Sequence, residues 1–340
     1  MKKLLKVLGA LVVLVLLSGM GSFLWAKSAA SARLERHFDT HRVDFPIPFP
    51  LTEAEVAELR AEKAKALPPD ADPNADVLAG VDLGAVALER AKARGKHLIE
   101  ARYACIECHA KDFGGGTMLD SPPIGRLFGM NLTAGKGGVV AKYTAADWDR
   151  IVRHGVLPDG RPTAMPSLDY VNMSDQELSD VIAYVRAAPP VDREMARPTL
   201  GPVGTLLMAS GKIVLSAEHV DHQKTHAPAP PTAAPTAEFG KHLVAVCAGC
   251  HNPELTGGVI QGGAPDWAPA ANLTPHADGL AGWTYEDFVR ALREGKAKDG
   301  RQLKPPMDGM KPYAANLTDT ELQGMWAYLQ TLPPKPDPKP

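Results

Sequence analysis

The sequence predicts an all-α protein, built as two helical units in tandem behind one N-terminal helix able to cross a membrane. Three observations predict it. Residues 7–26 carry no charge and follow Lys2, Lys3 and Lys6. Five ordered motifs of one half of the chain recur in the other half. No stretch alternates apolar and polar residues convincingly in the manner of a half-buried strand. The 340 residues suffice for two or three domains. A net charge of −2 gives no basic field for nucleic acid. With 31 prolines and 31 glycines, long irregular loops are expected between the helices.

The N-terminal segment (1–26) is read as a membrane anchor. Its charge-free run of 20 residues matches the thickness of a bilayer and exceeds the usual core of a signal peptide. Leu24-Trp25-Ala26 lacks the small residue that a cleavage site wants at its first position, so an uncleaved anchor is expected. The lysines stay inside, which places everything after Lys27 outside the cytoplasm. Residues 27–84 form a spacer. It runs extended through "VDFPIPFP", then forms a short surface helix in "LTEAEVAELRAEKAKAL", capped by Thr52 and broken by "PPDADPNAD".

The two units span 85–190 and 238–334. "GKHLIEARYACIECH" answers to "GKHLVAVCAGCH", and "NLT" at 131 to the same triplet at 272. "YTAADWDRIVRHG" answers to "WTYEDFVRALREG", "DGRPTAMP" to "DGRQLKPPM", and "MSDQELSDVIAYVRAAPP" to "LTDTELQGMWAYLQTLPP". A period this long marks tandem domains rather than solenoid units. Ser174 with Glu177, and Thr318 with Glu321, have capping-box spacing. Behind them Leu178, Val181, Ile182 and Val185, and Leu322, Met325, Trp326 and Leu329, keep the spacing of one buried helix face. Thr144 and Thr284 open a middle helix, and a further helix covers 87–101. The connector (191–237) holds the mildly apolar "GPVGTLLMASGKIVL", expected to pack on the first unit, and the flexible "HAPAPPTAAPTAE". Residues 335–340 are a tail.

All four cysteines fall in two CxxCH motifs: Cys105, Cys108, His109 and Cys247, Cys250, His251. Structural zinc needs four ligands close together, yet the pairs lie 142 residues apart in different units. A thioredoxin-type dithiol needs a βαβ setting, which is missing. A local disulfide explains neither the histidine nor its repetition. Covalent haem attachment explains all of it: two thiols on one helical turn add to the two vinyl groups, and the next imidazole lies under the iron. His97, His154, His242 and His276 have no motif partners and are read as satisfied or solvated side chains.

On these motifs the chain resembles the class I cytochromes c in tandem di-haem, membrane-anchored form, over both repeats. The separate domains are similar to those in the cytochrome subunits of quinone-reducing alcohol and gluconate dehydrogenases. The resemblance implies two covalently bound haem c groups, each in the crevice of a small helical domain. It also implies a methionine as second axial ligand on the loop before the last helix. Met165 in "RPTAMPSLDY" matches that loop, whereas Met173 reads as packing at the helix start. In the second unit "KPPMDGMKPY" offers Met307 and Met310; Met307 is favoured because Pro305 and Pro306 stiffen the backbone entering it. Gly95 and Gly240 are expected to let the helices bearing Tyr184 and Tyr328 cross closely. Asn131 and Asn272 open a loop and carry no ligand role.

The expected function is electron transfer on the periplasmic side of a bacterial inner membrane. A dehydrogenase or quinol-oxidising complex would be the donor, and an oxidase, reductase or soluble cytochrome the acceptor. The alternatives are a di-haem peroxidase, which needs one iron with an open or removable ligand, and an electron-relay subunit of a dehydrogenase.

Overall fold

The computed structural model describes residues 2–68, 76–264 and 266–338. Helix α1 (Lys2–Leu34) is 33 residues long, about 50 Å at the helical rise. Its apolar part stands clear of the rest of the protein, with Leu5, Leu11 and Leu16 all exposed, until Ala26 and Ala30 become buried. The last turns pack on α7 (Pro202–Ala209), where Ala30, Met208 and Leu215 form a small core of their own. Arg33 fastens this junction, paired with Glu218 and donating to the Ile213 carbonyl at 3.0 Å. The connector segment that was expected to pack on the first unit therefore packs on the end of α1 as well.

Helix α2 (Glu53–Lys65) opens on Thr52, which forms a full capping box with Glu55. Most of the predicted break after it, "PPDADPNAD", lies outside the described residues. The first haem-type unit then contains α3 (Leu83–His97), the one-turn α4 (Ile106–His109), α5 (Ala145–His154) and α6 (Asp175–Arg186). The helix expected over 87–101 thus starts earlier and changes character at His97, where a π-helix takes over from Leu98 to Tyr103. Thr144 and Ser174 cap α5 and α6 with boxes closed by Asp147 and Glu177. The apolar face of α6 meets Leu98, Ile99, Trp148 and Val152 in one core.

The mostly helical fold carries one further element. The unit carries a small antiparallel sheet: β1 (Gly116–Ser121), β2 (Gly125–Gly129) and β3 (Thr199–Leu200), in the order β1-β2-β3. The pairing slips between Thr117 and Leu119, and the strands lie largely at the surface, so no period of two survives in the sequence.

The second unit repeats the pattern with α8 (Ala237–Val244), α9 (Ala248–His251), α10 (Tyr285–Glu294), α11 (Lys311–Asn316) and α12 (Asp319–Leu329). Thr284 and Thr318 cap α10 and α12 with boxes closed by Asp287 and Glu321. Leu322, Met325 and Leu329 are buried with Phe239, Leu243 and Phe288. In both units the first and last helices cross at a glycine. Gly95 faces Asp180 and Tyr184 on α6, and Gly240 faces Gly324 and Tyr328 on α12. No side chain fits at either crossing, as the sequence pattern implied.

Candidate haem-attachment sites

Each CxxCH motif sits on a single turn of helix that is closed by unusual backbone, and the first is opened by it as well. Ala104 adopts a left-handed conformation before Cys105, and Ala110 has positive φ after His109. Asn252 does the same after His251. The turn puts the two cysteines of each pair on one helix face, as i and i+3 residues must be. All four thiols are free. Burial pushes the Cys105 and Cys247 thiols up to about 12. A dithiol redox pair needs the opposite, a thiol lowered toward neutral pH.

The histidines carry the clearest signal. His109 Nδ1 lies 2.8 Å from the Met130 carbonyl oxygen, and His251 Nδ1 lies 2.7 Å from that of Ala271. A carbonyl only accepts, so Nδ1 holds the proton in both rings and Nε2 keeps its lone pair. Burial lowers both imidazoles below their ordinary value, so they are neutral at physiological pH. A neutral ring fixed through one nitrogen, with the other free, is the arrangement a metal-ligating histidine takes. Two free thiols beside it, the first of each pair packed against the unit's apolar core, fit a covalently held haem in each half.

The methionines are arranged less symmetrically. Met165 is half-buried against the first core, as are Cys105, Ile106 and Tyr170. Met173 is fully packed in that core at the start of α6. Met307 is half-buried at the beginning of a short 3₁₀ turn, Met307–Met310, whereas Met310 at its end is 37 % exposed. Asn131 and Asn272 act as clamps on the segment that follows each last helix. Asn131 Oδ1 accepts from the Thr133 amide and hydroxyl while Nδ2 donates to the Val191 carbonyl at 2.7 Å. Asn272 repeats this with Thr274 and the Lys335 carbonyl at 2.8 Å.

Each attachment turn touches the other unit across the interface between them. Asp169, just beyond Met165, presses its carboxylate against Gly249 inside the second CxxCH. Burial raises that carboxylate to about 6. In the reverse direction, Glu107 inside the first CxxCH hydrogen-bonds the Tyr313 hydroxyl of α11. Around this contact runs a charge network that sequence reasoning missed. Glu177 and Glu321 each use Oε2 to close their own capping box, leaving Oε1 to cross the interface. His242 reaches Glu177 at 2.8 Å, and His97 reaches Glu321 at 2.9 Å. Arg102 lies between them, 3.1 Å from Glu177 and 2.8 Å from Glu321. The box spacing found these glutamates, but nothing in it points to a second partner.

Comparison with known proteins agrees with this geometry. Residues 237–333 match the family model for cytochrome c, and residues 90–185 match that for subunit III of cbb3-type cytochrome c oxidase. The chain belongs to the cytochrome c family, with two such domains in tandem. Two covalent haem c groups follow from them. The chain is 26% identical over 258 residues to the cytochrome c subunit of a quinone-type alcohol dehydrogenase from Gluconacetobacter polyoxogenes, covering 68% of this chain and 54% of that protein. It is 25% identical over 263 residues to the fructose dehydrogenase cytochrome subunit of Gluconobacter japonicus, covering 70% and 52%. A "Diheme cytochrome c-type" protein of Cereibacter sphaeroides is 24% identical over 275 residues, covering 71% of this chain and 85% of that protein. The chain spans about half the length of the dehydrogenase cytochrome subunits it matches.

Proposed function

We propose that this di-haem cytochrome c is a membrane-anchored electron carrier. In this reading Cys105, Cys108, Cys247 and Cys250 would hold the two haems, His109 and His251 would offer Nε2 to the irons, and Met165 and Met307 would each offer a thioether sulfur. Met307 is preferred over Met310 because it is the less exposed of the two. The haem supplies an iron that cycles between ferrous and ferric; the protein's own groups fix its ligands and surroundings. The Met130 and Ala271 carbonyls hold the imidazoles in one tautomer and orientation, and the thioethers favour the ferrous form. The observation that carries the proposal is the repeated His Nδ1–carbonyl bond behind each CxxCH turn.

The contact of each attachment turn with the other unit supports electron exchange between the two haems across the domain interface. The exposed apolar run of α1 supports anchoring in the inner membrane, with the haem domains on the periplasmic side. The relatives' names favour one setting for such a carrier: a cytochrome subunit that relays electrons from a catalytic dehydrogenase chain to a membrane or soluble acceptor.

Optical spectra of the purified ferric and ferrous protein test the assignment. Two equivalents of low-spin haem, each with a sulfur-to-iron charge-transfer band, are expected. Met165→Ala should abolish one band and Met307→Ala the other, with Met310→Ala silent. A high-spin haem in the wild type, or rapid turnover of peroxide, would overturn the carrier reading for that site.

A further inference from the structure

Away from both attachment turns, three distant parts of the chain bring metal-type donors together. His41 comes from the spacer after α1, Asp149 and His154 from α5, and His226 from the linker between the units. One donor atom of each lies within 4.8 Å of all the others. Asp149 is 1 % exposed and His154 fully buried.

The outer nitrogen of each ring is already committed. His41 Nδ1 lies 3.1 Å from the His222 carbonyl oxygen, to which it can only donate. His222 Nε2 donates to the Ala217 carbonyl at 2.8 Å, so its Nδ1 is an acceptor, and His154 Nδ1 donates to it at 3.2 Å. The His226 ring bonds the backbone at Val171. The inward Nε2 atoms are therefore left with lone pairs. His154 Nε2 lies 3.4 Å from His226 Nε2 and 3.5 Å from Asp149 Oδ2. Those spacings are close to the edge of a tetrahedron with zinc-type bonds, about 3.3 Å.

His41 Nε2 and Asp149 Oδ2 have no hydrogen-bond partner, although both are buried from water. Asp149 Oδ1 is taken by Arg153 Nε at 2.7 Å, which aims Oδ2 at the histidines. Acceptors facing one another without a donor are costly unless a cation lies between them. Arg153 is itself balanced by Asp149 and by Asp175 at 2.8 Å.

We infer that this is a binding site for one zinc-type divalent ion, held by Nε2 of His41, His154 and His226 and by Oδ2 of Asp149. Three imidazoles and one carboxylate suit zinc, not the all-oxygen shells of calcium or magnesium. Four protein ligands in a closed set make the site structural. The ion pins the segment leaving the membrane helix, and the linker to the second haem domain, onto the middle helix of the first. It is separate from both haem irons, whose ligands lie elsewhere.

The test uses the full-length holoprotein in detergent, stripped with a chelator and titrated with zinc chloride. One zinc per chain, beyond two irons, is expected by elemental analysis. X-ray absorption at the zinc edge should show imidazole scattering and no sulfur. His41→Ala in the spacer and His226→Ala in the linker should each weaken zinc binding at least tenfold while leaving the haem spectrum intact. A wild-type protein that takes up no zinc at about 10 µM would overturn the site. So would zinc bound equally by both variants.

Discussion

Replacing Gly240 by alanine tests the helix crossing on which the second haem domain is built. In an isolated helix the change would be favourable by about 1 kcal/mol, because alanine is the better helix former. At this position the added Cβ would lie 2.9 Å from the Tyr328 Cβ and deeper still in the Gly324 carbonyl group. Carbon atoms in ordinary contact are about 3.5–4.0 Å apart. The Gly324 carbonyl is backbone inside α12, so it cannot swing away as a side chain would. The helices must part by roughly 1 Å, and overpacking of this kind costs about 1–3 kcal/mol. With the clash falling on backbone the upper end applies, and the net loss is roughly 2 kcal/mol once the propensity gain is subtracted. For a domain of this size that lowers the melting temperature by roughly 10 °C. Circular dichroism of the holoprotein during heating reads it directly. Gly95→Ala should act in the same way on the first domain, where the Cβ would meet Tyr184 at 2.9 Å. If Gly240→Ala melts at or above the wild type, close approach is not the reason for glycine there.

Two further predictions concern the interface. Arg102→Leu leaves Oε1 of the buried Glu177 and Glu321 carboxylates with only one histidine each, at a cost of roughly 3 kcal/mol. Faster proteolysis of the 226–238 linker and a larger radius in solution scattering are expected, with both haem spectra unchanged. The second is a pH effect. Desolvation alone would raise the Glu321 carboxylate, but His97, Arg102 and Thr318 outweigh it and hold it at about 2. A lowered carboxylate stabilises the folded interface above its unfolded value, about 4.3, and that contribution is lost as pH falls from there toward 2. Solution scattering across that window should show the two domains separating in acid, and the Glu321→Gln variant should lose that step.

Most of the fold and of the attachment sites was legible because the signals are local. Thr52, Thr144, Ser174, Thr284 and Thr318 each close a box within four residues, and all five boxes are present. The buried stripe on α6 was readable from a period that one helix imposes on itself. Features that depend on another part of the chain left weaker marks. The sheet was missed because the slip beside Leu119 destroys its alternation and β3 arrives from residues 199–200. His97, His154 and His242 were individually unremarkable. Their partners lie 224, 72 and 65 residues away in sequence, and only the folded chain brings them together.

The most informative departure from repetition is a length difference. Ten positions separate Gly95 from Cys105, but only seven separate Gly240 from Cys247. Both glycines are fixed by their helix crossings, and both cysteines by the core they face, so the three extra residues must be absorbed between them. The first unit does this by widening the helix into a π-turn from Leu98 to Tyr103. The second closes the same path with the tighter turn Ala245–Cys247. The widened turn pushes outward, and what it carries outward belongs to the neighbouring domain. Ala101 is buried in the second core, the Glu100 carbonyl accepts from Asn316 at 3.0 Å, and Arg102 bridges the two capping glutamates. His97 and His242 make matching contacts from equivalent positions, so they give the interface an approximate two-fold relation. Arg102 has no counterpart in the shorter repeat, and it breaks that relation. Two nearly equal domains that could pair in either sense are thereby given one arrangement. Deleting three residues from the π-turn should leave each haem crevice intact and release the domains from each other.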